Sequence, residues 1–253
     1  MYTVTIDTTP APSTVPASAP TRRRDRLRQS TVAEIKARAW QQIAEAGAPS
    51  LSLRAIARDM GMTSSALYRY FPSRDVLLTA LITDGFASLA DALEAIEAEV
   101  AVVTDGGERF IRIVRAYRAW ALAHPSEYAL IFGTPVPGLE VEDPATKVEL
   151  VRGVNVLFRC MIDAVQRGVI APPPLQGPGA GRLRSRLRAW GMDEAPGLPP
   201  AALAGCMFAW TQLHGAISLE LFGHMPEVLL PADDLFEQQM RQVLAAMGAQ
   251  RSG

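Results

Sequence analysis

Between Thr63 and Tyr70 the chain carries Thr63, Ser64, Ser65, Arg69 and Tyr70, three short hydroxyls followed by a guanidinium and a phenol. Short hydroxyls permit close approach and an arginine reaches guanine O6 and N7 with a two-pronged donor, so such a face fits a major groove. A second cationic set, Arg22-Arg23-Arg24-Asp25-Arg26, lies upstream, where a flexible arm would follow phosphates or enter a narrow minor groove. Residues suited to bond-breaking chemistry are sparser: Cys206, His124, His214 and His224. Cys206 and His214 are eight apart on one predicted helix, about 80° apart around its axis, with no third group to orient the imidazole. His214 and His224 lie ten apart across Gly215 and Gly223, unlike an HxxxH pair. The two cysteines, Cys160 and Cys206, stand outside any CxxC, which argues against a disulfide framework and a structural zinc site. No catalytic residue, metal or cofactor is assigned, and the chain is not read as an enzyme.

The groove-reading residues need rigid elements behind them, and the apolar spacing supplies three. Val32, Ile35, Ala39, Ile43 and Ala46 recur at helical intervals between Arg26 and Gly47, with Gly47 as a left-handed cap. Ser52 is an N-cap for a short helix bearing Leu53, Ile56, Ala57 and Met60 on one face and ending at Gly61. Thr63 caps a third helix, Ser64 to Phe71, which Pro72 terminates. Two helices crossing at about 90 to 120° need a small residue at the contact and a tight turn, roles that Ala57 and Gly61 fill. Leu67 then closes a miniature core, Met62 plugs the turn, and the third helix turns its polar side outward into a major groove. On this pattern alone, a helical hairpin with a solvated face is the other reading.

The chain has 253 residues, 49% apolar and 20% charged, which excludes a disordered polypeptide and a disulfide-stapled miniprotein. Its net charge of -1 hides an asymmetry. From Thr21 to Asp75 there are eleven Arg or Lys against five acids, and from Val76 onward fourteen against twenty. A basic module therefore precedes an acidic one, which suits a polyanion partner or, on charge alone, a merely solvated basic face. Residues 1–21 hold no Lys or Arg and no apolar run, so they read as a disordered tail and not as a secretory signal. Ala201 to Leu219 is the candidate membrane span, but Gly205, Thr211, Gln212, His214 and Gly215 interrupt it, and it reads as a buried helix. A reducing cytoplasm is the expected compartment.

Behind the basic module, further helices are predicted over Arg74 to Val102, Glu108 to His124, Ser126 to Phe132, Asp143 to Val169, Pro200 to Phe222 and Pro231 to Met247. The fourth helix is long enough to join two domains. Asp143 to Val169 places Val148, Val151, Val154, Phe158, Met161, Ile162 and Val165 inward. The breaks are Pro135-Val136-Pro137-Gly138 and a Pro- and Gly-rich segment, 171–200, read as a mobile loop holding a short helix with solvated arginines. Tyr117, Trp120, Phe158, Met161, Met207 and Trp210 are candidates to line an effector pocket, with His124 or His214 as polar anchor; ordinary bundle packing is the alternative. A helix apolar all round, as Ala201 to Leu219 is, needs cover on several sides, and a second copy in a four-helix homodimer contact supplies it. The fold class is all-α: a helix-turn-helix domain, 22–75, followed by a larger helical ligand-binding and dimerisation domain, 76–253.

The stretch Ala39 to Leu78, with Ala-Trp-Gln-Gln-Ile-Ala-Glu-Ala-Gly, Ser-Leu-Arg-Ala-Ile-Ala-Arg-Asp-Met-Gly-Met-Thr and Ala-Leu-Tyr-Arg-Tyr-Phe-Pro-Ser-Arg-Asp-Val-Leu-Leu, resembles the DNA-binding domain of the TetR family. The resemblance implies a one-component bacterial transcription regulator, usually a repressor, that binds double-stranded inverted-repeat DNA as a homodimer and releases it when a small molecule enters the C-terminal domain. It implies phosphate and groove contacts from Tyr68 and Tyr70, backbone contacts from Ser52 and Arg54, a core role for Phe71, and a phosphate role for Arg74, which stands where the family usually has Lys. Trp210-Thr211-Gln212-Leu213-His214-Gly215, Arg118-Ala119-Trp120 to Pro125 and Tyr128-Ala129-Leu130-Ile131-Phe132 resemble the WHG-type C-terminal domain of some members. A ligand-independent DNA-binding or architectural protein would share the same front end.

Overall fold

The computed structural model describes residues 19–133, 136, 138–139, 143–194 and 198–249. Residues 1–18, most of the expected tail, lie outside the described residues, as do Pro135 and Pro137 of the expected break. The chain is all-α. In order the helices are α1 (Ala19–Ala46), α2 (Leu53–Asp59), α3 (Ser64–Tyr68), α4 (Arg74–Val100) and α5 (Gly106–Ala123), followed by α6 (Pro125–Phe132), α7 (Pro144–Gln166), α8 (Ala180–Glu194), α9 (Pro200–Leu221) and α10 (Asp233–Ala246). Among the described residues the sole β-type pairing is an isolated bridge between Ile170 and Ala249.

Local chemistry explains most of the helix starts. The side chains of Ser52, Thr63, Ser73, Asp105 and Asp143 accept hydrogen bonds from the first-turn N–H groups of α2, α3, α4, α5 and α7, each worth about 1 kcal/mol. Pro125, Pro144 and Pro200 open α6, α7 and α9, where a missing N–H costs nothing. Gly61 ends α2 at φ +64°. Gly47 also has positive φ, +77°, but its ψ of 163° is a glycine-specific extended conformation and not the expected left-handed cap.

Two cores result, and α4 belongs to both. Ile35, Ala39, Ile56, Ala57, Leu67 and Phe71 pack with Leu77, Leu78 and Leu81 of α4 in the first. Leu89, Leu93 and Val100 of the same helix join the second, larger core with residues of α5, α6, α7, α9 and α10. At 1.5 Å per residue α4 is about 40 Å long, so it is a rigid strut from one core to the other. Helix α6 also bridges them: Tyr128 is buried in the larger core while Leu130 packs on the smaller.

Several elements differ from the sequence expectation. Arg22 to Arg26 do not form a flexible arm; they are turns of α1, which runs back to Ala19 because Arg, Leu and Ala are strong helix formers and no glycine interrupts them. Helix α3 ends at Tyr68, with Arg69 as its C-cap, rather than at Phe71. Val148 is 58% exposed, and α7 instead buries Gly153, Val156, Cys160 and Ala164, the side it turns toward α4. Within the single chain helix α9 leaves Phe208, Gln212, Gly215, Leu219 and Phe222 exposed. Among the described residues the helix long and apolar enough to cross a membrane is α4, not Ala201 to Leu219, and half of its most apolar stretch is buried. In the 171–200 segment, α8 occupies 180–194, a longer helix than the sequence suggests.

Candidate nucleic-acid interface and ligand cavity

The α2–α3 pair is assembled around Leu67, which is fully buried, with the turn closed by the Met62 N–H donating to the Ala57 carbonyl at 2.8 Å. That packing leaves Arg54, Thr63, Ser64, Ser65, Tyr68 and Arg69 exposed. The guanidinium groups of Arg54 and Arg69 pair with no carboxylate among the described residues, so both are available to an outside anion. Thr63 is partly committed: its Oγ1 accepts from the Ala66 N–H at 3.3 Å and lies 3.2 Å from the Ser65 Oγ. Ser52 uses its hydroxyl to cap α2, and its own N–H donates to Gln42 Oε1 at 3.0 Å, tying the start of α2 to α1.

Three of the sequence-assigned contacts are held differently. The ring of Tyr70 is partly buried on the small core, with the Arg28 guanidinium 5.4 Å above its centroid. Arg74 donates from Nη2 to the Ala48 carbonyl at 2.8 Å, clamping the start of α4 to the turn after α1. Arg23, Arg24 and Arg26 are exposed on the first turns of α1, and Arg22 shares that helical backbone. The sequence reading passed over Arg58, exposed one helical turn after Arg54 and only 3.7 Å from its neighbour Asp59. The signal for it was present in the i, i+4 spacing of two arginines on α2.

A cavity of about 310 Å³ lies between α5, α7, α8 and α9. Of the eight sequence candidates, Phe158, Met161, Met207 and Trp210 line it. Phe110, Leu150, Val154, Trp190 and Leu213 extend the apolar wall, and Lys147, Asn155 and Cys206 are its polar or ionisable members. Tyr117, Trp120, His124 and His214 lie off it. Trp120 Nε1 donates to Ser88 Oγ at 3.0 Å, and His124 Nδ1 sits 2.9 Å from the Trp120 carbonyl. His214 forms a separate buried cluster: its Nε2 is 3.1 Å from Tyr117 Oη, and Tyr128 Oη reaches both Ser218 Oγ, at 2.9 Å, and His214 Nδ1, at 3.4 Å. Burial lowers the His214 pKa to about 4, so the ring is neutral near pH 7. Trp210 joins cluster to cavity, its ring centroid 4.1 Å from that of His214. Lys147, Asn155 and Trp190 were missed because a lone lysine, an asparagine and a tryptophan in a Pro-rich segment carry no periodic signal.

The thiols are not poised for reaction. Burial pushes Cys160 up to about 11 and Cys206 up to about 12, so both are protonated near pH 7. Among the described residues there is no group of three or more His, Cys, Asp or Glu able to hold a metal.

Residues 35–81 match the family of bacterial regulatory proteins, tetR family, and residues 110–243 match the tetracyclin repressor-like C-terminal domain. The HTH-type transcriptional regulator Rv1816 of Mycobacterium tuberculosis is 34% identical over 233 residues, which cover 89% of this chain and 95% of that protein. The crystal structure of SCO4313, a proposed regulatory protein, superposes with a TM-score of 0.70 at 36% identity, over 87% of this chain and 98% of the other. A protein of unknown function from Rhodococcus sp. RHA1 shares the fold, with a TM-score of 0.65 at 23% identity over 86% of this chain and 95% of its own.

Proposed function

The chain belongs to the tetR family of bacterial regulatory proteins, whose members are regulators and not enzymes, and from that premise we propose that it is a dimeric transcriptional regulator, a repressor released from an inverted-repeat operator by a small-molecule effector. The observation that supports the reading is the single strut α4, which starts in the core that carries the exposed groove-reading surface and packs, in the larger core, on α5 and α7, two of the helices that wall the cavity. Arg54, Arg58 and the arginines of α1 supply phosphate contacts; Ser64, Ser65 and Arg69 face base edges; Tyr68, 40% exposed, contacts backbone. Ser52, Thr63, Tyr70 and Arg74 hold that surface in shape, with Arg74 acting through its clamp on Ala48.

The dimer rests on α9. Phe208, Gln212, Gly215, Leu219 and Phe222 are spaced alternately four and three residues apart and are all exposed, which is the seam of a two-helix contact. A Cβ at Gly215 would meet nothing within 4 Å in the single chain, so a partner helix has room to approach there. Two such chains about a twofold axis place their α3 helices to read half-sites about 34 Å apart. The residues around Trp210 and His214 support a WHG-type reading of the C-terminal domain, 76–253, and its working compartment is the cytoplasm. Effector binding releases DNA by favouring a dimer whose α3 helices no longer fit successive major grooves.

The test is selection of bound duplexes from a random DNA library at two salt concentrations, followed by sequencing. An inverted-repeat motif is the expected result. Salt-sensitive binding with no motif would refute sequence reading and leave an architectural protein, because phosphate contacts alone carry no sequence information.

A further inference from the structure

We infer that the cavity between α5, α7, α8 and α9 takes a linear amphipathic carboxylate, its tail along α7 and its carboxylate on Lys147. The inference rests on this cavity being the effector site. Three features of this chain carry it.

The first is shape. The wall residues of α7 lie between Leu150 and Met161, a rise of about 16 Å along the helix. Across from it stand Phe110 and Val114 of α5, Trp190 of α8 and Trp210 of α9, so the hollow runs along α7 as a slot. The second is polarity. Phe110, Val114, Phe158, Trp190 and Trp210 make the wall apolar, and the Cys206 thiol and the Asn155 amide in it are uncharged, so the slot offers a tail no charge to meet beyond Lys147.

The third is the single cation. Lys147 is the charged side chain of the lining and is exposed at the N-terminal end of α7, opposite the deep end at Met161. Arginines elsewhere on α7 are paired: Arg152 with Asp91 and Glu94 at 2.6 and 2.7 Å, Arg159 with Glu97 at 2.6 Å, Arg167 with Asp163 at 2.7 Å. Lys147 has no such partner among the described residues. The nearby carboxylate of Asp143 is committed to the Thr146 N–H at 2.9 Å and the Thr146 hydroxyl at 3.2 Å. An ammonium at the mouth of an apolar slot selects an anion with a tail and repels a cation with the same tail.

The position of the head group also matters. Lys147 and Leu150 line a second hollow, which Ile82 and Phe86 of α4 border. Thr146, the residue before Lys147, bonds through Oγ1 to Thr83 Oγ1 of α4 at 2.7 Å. A carboxylate on Lys147 therefore lies beside the junction through which α7 bears on α4.

Calorimetric titration of the full-length protein with decanoate, decanol, decylamine and 1-naphthoate, without DNA, tests the assignment. Decanoate is expected to bind at least about fivefold more tightly than decanol, as one solvent-facing charge pair allows, and decylamine most weakly. Lys147→Ala is expected to abolish the preference for decanoate over decanol, and Lys147→Glu to reverse it toward decylamine; both change an exposed side chain, so the fold is retained. Equal binding of decanoate and decanol, a preference that survives Lys147→Ala, tighter binding of 1-naphthoate, or no binding by any of them would overturn the inference. Occupancy of the selected operator is then read separately with decanoate present. Binding with the expected preference but no loss of operator occupancy would uphold the ligand class and overturn the effector-release reading.

Discussion

Acid should loosen this protein through one side chain. His214 is buried against Tyr117, Tyr128, Phe132 and Trp210, and that burial lowers its pKa from 6.5 to about 4. A histidine with a depressed folded-state pKa binds its proton more readily when unfolded, so the stability it holds is full above pH 6.5 and is lost as pH falls toward 4. At 1.36 kcal/mol per pH unit, the difference between pH 7 and pH 4 amounts to about 3 kcal/mol, a large share of a typical domain's 5 to 15. His214→Gln removes the titrating group while keeping an acceptor for the Tyr117 hydroxyl, at some cost in baseline stability. Urea titrations of both proteins at half-unit steps from pH 7 to pH 4 separate the two effects, because the baseline shift is constant and the proton-linked loss is not. Carboxylates held low by arginines, Glu94 by Arg152 and Asp233 by Arg118, contribute equally to both proteins and cancel in the difference. The wild type should lose about 3 kcal/mol more than the variant across that range. Parallel curves would refute the placement of a neutral, buried imidazole at 214.

Arg118 binds Glu220 through two hydrogen bonds, at 2.8 and 2.6 Å, and Asp233 through one at 2.9 Å, but only the Glu220 carboxylate is buried with it. Arg118→Ala should therefore cost about 3 to 5 kcal/mol by leaving a buried charge unpaired, while Asp233→Asn should change the urea midpoint little; equal losses would contradict the geometry. Leu67→Ala empties the centre of the helix-turn-helix core and should cost about 3 kcal/mol, read as loss of hydrogen-exchange protection in α2 and α3, with the α5 and α7 amides unaffected. Leu219→Glu puts a charge into the α9 seam and should give a monomer by sedimentation that no longer occupies an inverted repeat; a dimer of unchanged affinity would move the interface elsewhere.

Turn chemistry and period alone carried the front of this molecule. Ser52, Gly61 and Thr63 set the boundaries of short helices by bonds within a few residues, and Leu67 had one place to go once Ala57 and Gly61 fixed the crossing, so the helix-turn-helix was legible without coordinates. The helical content of the C-terminal half was legible for the same reason, since its helices lie between prolines and caps. What the periodicity did not distinguish was which neighbour each apolar face meets. Val154 and Val156 are equally apolar, yet one lines a cavity and the other is buried in the larger core, because packing against α4 and α9 assigns the faces of α7. The partners of polar groups are likewise decided over long sequence separations. Arg74 reaches back to Ala48, Tyr117 and His214 find each other from different helices, and Lys147 is distinguished by having, among the described residues, no carboxylate of the kind that pairs Arg152 and Arg159 of α7. Local sequence sets the helices; the three-dimensional packing sets which side chains are spent on holding them and which remain free to bind.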